Sequence, residues 1–179
     1  MNKIICLWSC PRNVSTALMY SFNQRSDTNV YDEVLYSHYL IESGANHPGR
    51  EEIIENQEND GEKVIKNMII NINYNKIIFH KLMTHFLVNV GTKFLSSVEN
   101  IIFIRDPQKI IKSYSKVIPK PKLKDIGIKL QFDLYNKLQK NNKKPIVLDS
   151  KYLLQNPKKI LTKLCDKLEI RFEKSMLKW

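Results

Sequence analysis

Glycine is scarce in this chain: five in 179 residues, none before Gly44. That excludes a phosphate loop of the form GxxxxGK[ST] near the N-terminus, and with it a magnesium-dependent kinase or ATPase of the Walker type. Seven prolines beside five glycines are too few for a linker-rich or collagen-like chain. The three cysteines, Cys6, Cys10 and Cys165, cannot all pair within one chain, and His38, His47, His80 and His85 form no HExxH, so the usual metal-site spacings are missing. No stretch approaches the roughly 18 apolar residues of a membrane span. At the N-terminus only Ile4 to Trp8 are apolar before Ser9, too short a run for the core of a signal peptide. A reduced, cytoplasmic setting is the expectation.

What is present suits one folded domain. Hydrophobic residues make up 42% and charged residues 26%, enough for a sizeable core and too apolar for intrinsic disorder. The net charge is +11, and it is uneven: residues 1–90 carry 8 basic and 10 acidic groups, residues 91–179 carry 21 and 8. Such an excess suits an anionic substrate or partner. The ordinary alternative is a solvated lysine-rich surface.

Short, continuously apolar runs alternate with helical spacing. Lys3–Trp8, Asn29–Tyr31, Lys76–Lys81, Asn100–Arg105 and Pro145–Leu148 read as strands, the apolar ones buried on both faces. Helices are expected over Ser15–Asn23, with Ser15 or Thr16 near its start, over about Glu62–Ile70, over Met83–Val90, and from Pro107 to about Lys116. Two more are expected over Lys124–Gln139, where Ile128, Phe132, Tyr135 and Leu138 share a face, and over Pro157–Leu168. The polar stretch 42–63 reads as a surface excursion with a short acidic helix. Repeated strand–helix order predicts an α/β fold: a parallel sheet of four to five strands, helices on both faces, right-handed crossovers.

In such sheets ligands bind beyond the carboxyl ends of the strands. Two strand ends carry anion-binding chemistry. After the first, Pro11-Arg12-Asn13-Val14-Ser15-Thr16 leads into a helix whose free amides and dipole favour an anion, with Arg12 as a fork of donors and two hydroxyls beside it. After the fourth, Arg105-Asp106-Pro107 is followed by Ser113, able to reach back across the groove. The simpler alternatives are a capped helix with a surface arginine, and an Arg105–Asp106 loop salt bridge.

This pair of loops resembles the nucleotide-binding elements of sulfotransferases that use 3′-phosphoadenosine 5′-phosphosulfate (PAPS). In that family a Pro-(Lys/Arg)-Ser-Gly-(Thr/Ser)-Thr loop holds the 5′-phosphosulfate, and an Arg-(Asn/Asp)-Pro with Ser eight residues after the Arg holds the 3′-phosphate. Residues 11–16 match the first, and Arg105-Asp106-Pro107 with Ser113 the second. DEVLYSHYL (32–40), HPGREEII (47–54), HKLMTHF (80–86) and the segment 153–179 extend the resemblance to a bacterial-type sulfotransferase-like branch over nearly the whole chain. The resemblance implies a P-loop-like three-layer fold, a PAPS co-substrate without metal, and a small-molecule or glycan acceptor. It also implies a single domain, 1–179, that ends earlier than is usual in the family. Neither a membrane nor a nucleic acid is an expected partner.

The implied roles follow the motifs. Pro11, Arg12, Asn13, Val14, Ser15, Thr16, Arg105 and Ser113 would bind the nucleotide, with Arg12 also opposing charge on the leaving 5′-phosphate. Val14 stands where the family has Gly. A β-branched residue resists φ > 0, which predicts loop amides aimed differently. The proton of the acceptor needs a base, and both Glu33 and His85 are candidates, since family members place a Glu or a His near these positions. Lys81 is a candidate sulfate contact; Tyr36, Tyr39 and Trp8 are candidates for a pocket wall, or for the core. His38 and His80 read as structural. Three other readings remain open at this point. Cys6 and Arg12 satisfy the Cys-X5-Arg spacing of tyrosine phosphatases, although a cysteine inside a strand would be hard to ionise. The basic half would suit a polyanion- or nucleic-acid-binding module. The third is a sulfotransferase fold without catalysis.

Overall fold

The computed structural model describes residues 3–70, 76–116 and 120–178; Trp179, the last residue of the C-terminal motif, lies outside them. Five strands form one parallel sheet: β1 (Lys3–Ser9), β2 (Thr28–Asp32), β3 (Ile77–Met83), β4 (Glu99–Ile104) and β5 (Ile146–Asp149), in the order β2-β3-β1-β4-β5. β1 is flanked by β3 (Lys3 opposite Ile77) and by β4 (Trp8 opposite Ile102). From β1 the chain crosses to the edge strand β2, returns inward to β3, and then passes to β4 and β5 on the other side, so the connections that leave the neighbours β1 and β4 run in opposite directions. This is where an open parallel sheet leaves a crevice above its carboxyl ends.

The apolar strands are buried on both faces, as their continuous sequences require. Alternate residues of each strand feed two cores. On one face Ile5, Leu7, Phe79 and Phe103 pack with Leu18 and Phe22 of α1 (Ser15–Asn23) and Leu161 and Leu164 from the C-terminal region. On the other, Cys6, Trp8, Leu82 and Ile102 pack with Leu35, Ile65, Phe86 and Leu134. Phe22 stacks on Phe79 at 4.1 Å between ring centroids.

The remaining helices are α2 (Tyr36–Ser43), α3 (Arg50–Asn56), α4 (Gly61–Val64), α5 (Pro107–Tyr114), α6 (Ile128–Lys140), α7 (Ser150–Gln155) and α8 (Pro157–Lys167). Several depart from the pattern in the sequence. The helix expected over Met83–Val90 is absent: β3 continues through Met83, and only Thr84–Phe86 make a 3₁₀ turn. Pairing overrides local periodicity here, because Met83 lies opposite Ser9 and Thr84 Oγ1 donates to the Ser9 carbonyl at 3.0 Å. The helix expected over 62–70 is a short α4 that widens into a π-helical stretch, Ile65–Ile70.

α6 begins at Ile128, after a separate 3₁₀ turn at Leu123–Ile126, because Gly127 interrupts the run at φ 67°. A Cβ at Gly127 would lie 3.2 Å from Cys10 Cβ. The buried face of α6 is Gln131, Leu134 and Leu138, and Phe132 is 62% exposed, contrary to the expected apolar face. Gln131 turns inward to cap the sheet: its Nε2 donates to the carbonyls of Trp8 at 3.1 Å and Phe103 at 2.8 Å.

Candidate active site

The loop after β1 is shaped by Asn13. Its side chain is buried, donates to the Phe103 carbonyl at 2.8 Å and accepts from the Ser15 amide at 3.2 Å. This staples the loop to the end of β4. Asn13, expected among the ligand contacts, therefore spends its side chain on the loop itself. Both of its neighbours are left-handed, Arg12 at φ 61° and Val14 at φ 71°. Val14 thus adopts the conformation its branching was expected to refuse. Such backbone strain persists only where surrounding contacts enforce it, and the Asn13 bonds are those contacts. Val14 is the N-cap of α1, and its side chain makes no bond to that helix. Ser15 is the first helical residue, at the start of α1 as expected, and its side chain does not cap the helix. Asn13 therefore takes one of the first amides of α1, the Ser15 amide, while the N-cap residue itself makes no side-chain bond, so the positive end of α1 still opens on the crevice.

The second loop closes on the first. Arg12 Nε donates to Ser113 Oγ at 3.0 Å, and Arg105 Nη1 donates to the carbonyl of Arg12. Ser113 lies in α5, whose N-cap Asp106 accepts from the Gln108 amide at 2.8 Å. Asp106 is a helix cap, and among the described residues no ion pair joins it to Arg105. The two motifs, about ninety residues apart in sequence, share one cavity of about 300 Å³ lined by Pro11 to Thr16, Glu33, Lys81, Arg105 and Ser113. Three cationic side chains face it against one carboxylate.

Lys81, at the end of β3, is buried. It pairs with Asp32 at 2.9 Å and, more closely, with Glu33. Burial works against its charge, but the two carboxylates outweigh this and hold its pKa above the ordinary lysine value. Glu33 has φ 51°, so it turns sharply out of β2 toward Lys81.

A second cavity, about 560 Å³, adjoins the first, and Pro11, Glu33 and Met83 line both. Its walls are aromatic. Tyr36 stacks on Phe86 at 5.2 Å, Tyr39 lies 5.0 Å from Phe86, and His85 meets Tyr39 edge-on at 4.9 Å. Tyr36 Oη lies 2.7 Å from His47 Nδ1. His85 lines this cavity only, and burial, reinforced by the charge of His47, pushes its pKa down to about 4.

Other expected residues fall elsewhere. Trp8 is fully buried in the core, its Nε1 donating to Asn100 at 2.9 Å, and lines neither cavity. His38 accepts from the Gly61 amide and lies 2.9 Å from the Val88 carbonyl through Nε2, a structural role. Cys6 is buried within β1 and desolvation raises its pKa far above the thiol range, which removes the phosphatase reading. His47, Tyr114 and Asp125 line the larger cavity without having been singled out as site residues. Tyr114 carried the one usable signal, directly following Ser113.

The parallel sheet, with an arginine-lined crevice at its order reversal, is a P-loop-like α/β fold. The chain belongs to the sulfotransferase domain family, whose model matches residues 2–179. It is 38% identical over 178 residues to branched-chain-amino-acid aminotransferase-like protein 1 of Arabidopsis thaliana and 36% identical to protein 2 of the same plant. Each match covers 99% of this chain but 32% of the relative, so the chain spans about a third of those proteins' length. Among solved structures the fold is similar to the sulfotransferase domain from the curacin biosynthetic pathway (TM-score 0.64, 15% identity, 99% of this chain and 77% of that one). It is also similar to a sulfotransferase from Alicyclobacillus acidocaldarius (TM-score 0.59, 9% identity, 96% and 87%).

Proposed function

We propose that this chain transfers a sulfuryl group from PAPS to a hydroxyl or amine of a small acceptor. The observation that carries the reading is the convergence of Arg12, Arg105 and Ser113 on one crevice. The residues present suit a bisphosphorylated nucleotide: two guanidinium groups, several hydroxyls, and a helix N-terminus whose N-cap residue, Val14, makes no side-chain bond to it. Arg12 and the first amides of α1 face the 5′-phosphosulfate; Arg105 and Ser113 hold the 3′-phosphate and fix the nucleotide.

Glu33 is the proton acceptor in this reading, because it lines both cavities while His85 lines only the larger. The acceptor oxygen or nitrogen bonds to sulfur, and the bond from sulfur to the 5′-phosphate oxygen breaks. The acceptor's proton passes to the Glu33 carboxylate, and 3′-phosphoadenosine 5′-phosphate leaves. Little covalent work falls to the protein, so positioning and charge stabilisation supply the catalysis. Lys81 keeps Glu33 aimed at the junction of the cavities.

Calorimetric titration with 3′-phosphoadenosine 5′-phosphate tests the nucleotide site without knowledge of the acceptor. Saturable 1:1 binding, much tighter than that of 5′-AMP, is expected. Equal or no binding of the two would remove the reading.

A further inference from the structure

The larger cavity has a charge that the chain as a whole does not. The protein is basic, with 29 lysines and arginines, yet among the described residues no lysine or arginine lines this cavity, whose basic groups are the imidazoles of His47 and His85. Two carboxylates do, Glu33 at its junction with the anion crevice and Asp125 on the wall shared with Tyr114. Their influence reaches the phenols: after burial, Glu33 is the leading cause that raises the pKa of Tyr36, and Asp125 the leading one for Tyr114. Glu33 is already matched by Lys81. Asp125 accepts from the Lys122 amide at 2.8 Å, and no cationic side chain pairs with it among the described residues.

Aromatic faces and an unmatched carboxylate recognise a cation. A ring face attracts an ammonium through its quadrupole, more strongly where water is excluded, and a carboxylate adds a counter-charge. Tyr36, Tyr39 and Phe86 form a mutually packed wall, held further by the Tyr36–His47 contact. The wall is therefore preformed. An acceptor bearing its own carboxylate, sulfate or phosphate would meet Asp125 and the anionic donor next door, and would be repelled by both.

We infer that the acceptor is a hydroxylated amine: a compact molecule whose hydroxyl reaches Glu33 at the junction while an ammonium, primary or quaternary, sits against the aromatic wall with Asp125 as counter-ion. This rests on the sulfuryl-transfer reading for the hydroxyl end; the ammonium site itself does not require turnover.

The test uses three phenols of one shape and different charge: tyramine, 4-ethylphenol and 4-hydroxyphenylacetate. Each is titrated calorimetrically into the protein, alone and with 3′-phosphoadenosine 5′-phosphate. Tyramine is expected to bind about tenfold or more tighter than 4-ethylphenol, with 4-hydroxyphenylacetate weakest. In Asp125→Asn, which keeps an acceptor for the Lys122 amide, the ratio of tyramine to 4-ethylphenol should collapse toward one. Added salt should compress the same ratio in the unaltered protein without any substitution. Equal affinities, preference for the carboxylate, absence of binding by all three, or a ratio that survives Asp125→Asn would each overturn the inference. Failure of the transfer reading looks different: the nucleotide does not bind, while the phenols keep their order.

Discussion

Removing the Arg105 guanidinium should cost this protein its discrimination between nucleotides that differ only in the 3′-phosphate. One guanidinium nitrogen of Arg105 already donates to the Arg12 carbonyl, and its other donors remain for the crevice. A charge-assisted hydrogen bond contributes roughly 1.5–3 kcal/mol, so Arg105→Ala should weaken binding of 3′-phosphoadenosine 5′-phosphate by about 10- to 150-fold. The substitution also releases the Arg12 carbonyl and loosens the loop. That second loss falls on the 5′ side and is shared by 5′-AMP, so the ratio of the two affinities isolates the 3′ contact. Arg105→Lys keeps a charge without the fork, cannot serve carbonyl and phosphate together, and should recover only part of the ratio. The assay is calorimetric titration of both nucleotides into the three proteins. Equal losses for the two nucleotides would place Arg105 in loop support alone and refute the assignment.

Arg12→Ala should lower single-turnover transfer at saturating PAPS by about 10²–10³, more than it lowers nucleotide affinity, because charge on the leaving phosphate develops only in the transition state. An unchanged saturated rate would make Arg12 a passive contact. Val14→Gly should be neutral or stabilising by up to about 1 kcal/mol in urea unfolding, since relief of a left-handed β-branched residue offsets glycine's larger chain entropy. A loss well above 1 kcal/mol would show that the loop does not strain Val14. His80 is fully buried, and burial holds its pKa down at about 4, against 6.5 for an ordinary histidine. Between those values the unfolded chain binds the extra proton, so stability should fall as pH drops from about 6.5 to about 4, by up to about 1.4 kcal/mol per unit. His85 is held down to about 4 as well and adds to the slope, so His80→Asn should remove about half of it in denaturant titrations run across the window, and an unchanged slope would assign it to other groups.

The sequence by itself determined the layered architecture, because continuous apolar runs such as KIICLW and NIIFI can be satisfied only as strands covered on both faces. It also determined the chemistry at two strand ends, since Arg12, Arg105 and Ser113 carry donor sets that are legible without coordinates. It could not determine where pairing would override local spacing. Met83 looks like the start of a helix and becomes the end of β3, and Gln131 looks like surface and becomes a cap on two sheet carbonyls. Nor could it foresee Val14 in a left-handed conformation, which runs against intrinsic preference and is imposed by Asn13 reaching across to Phe103. The aromatic cavity was the least visible, because its wall joins α2, the turn after β3, α5 and the turn before α6. Each of those segments carries only one or two of the lining groups, and no local pattern distinguishes a tyrosine that lines a cavity from one that fills a core. That distinction is made by the order reversal between β1 and β4, which opens the crevice, and by the packing that holds it open.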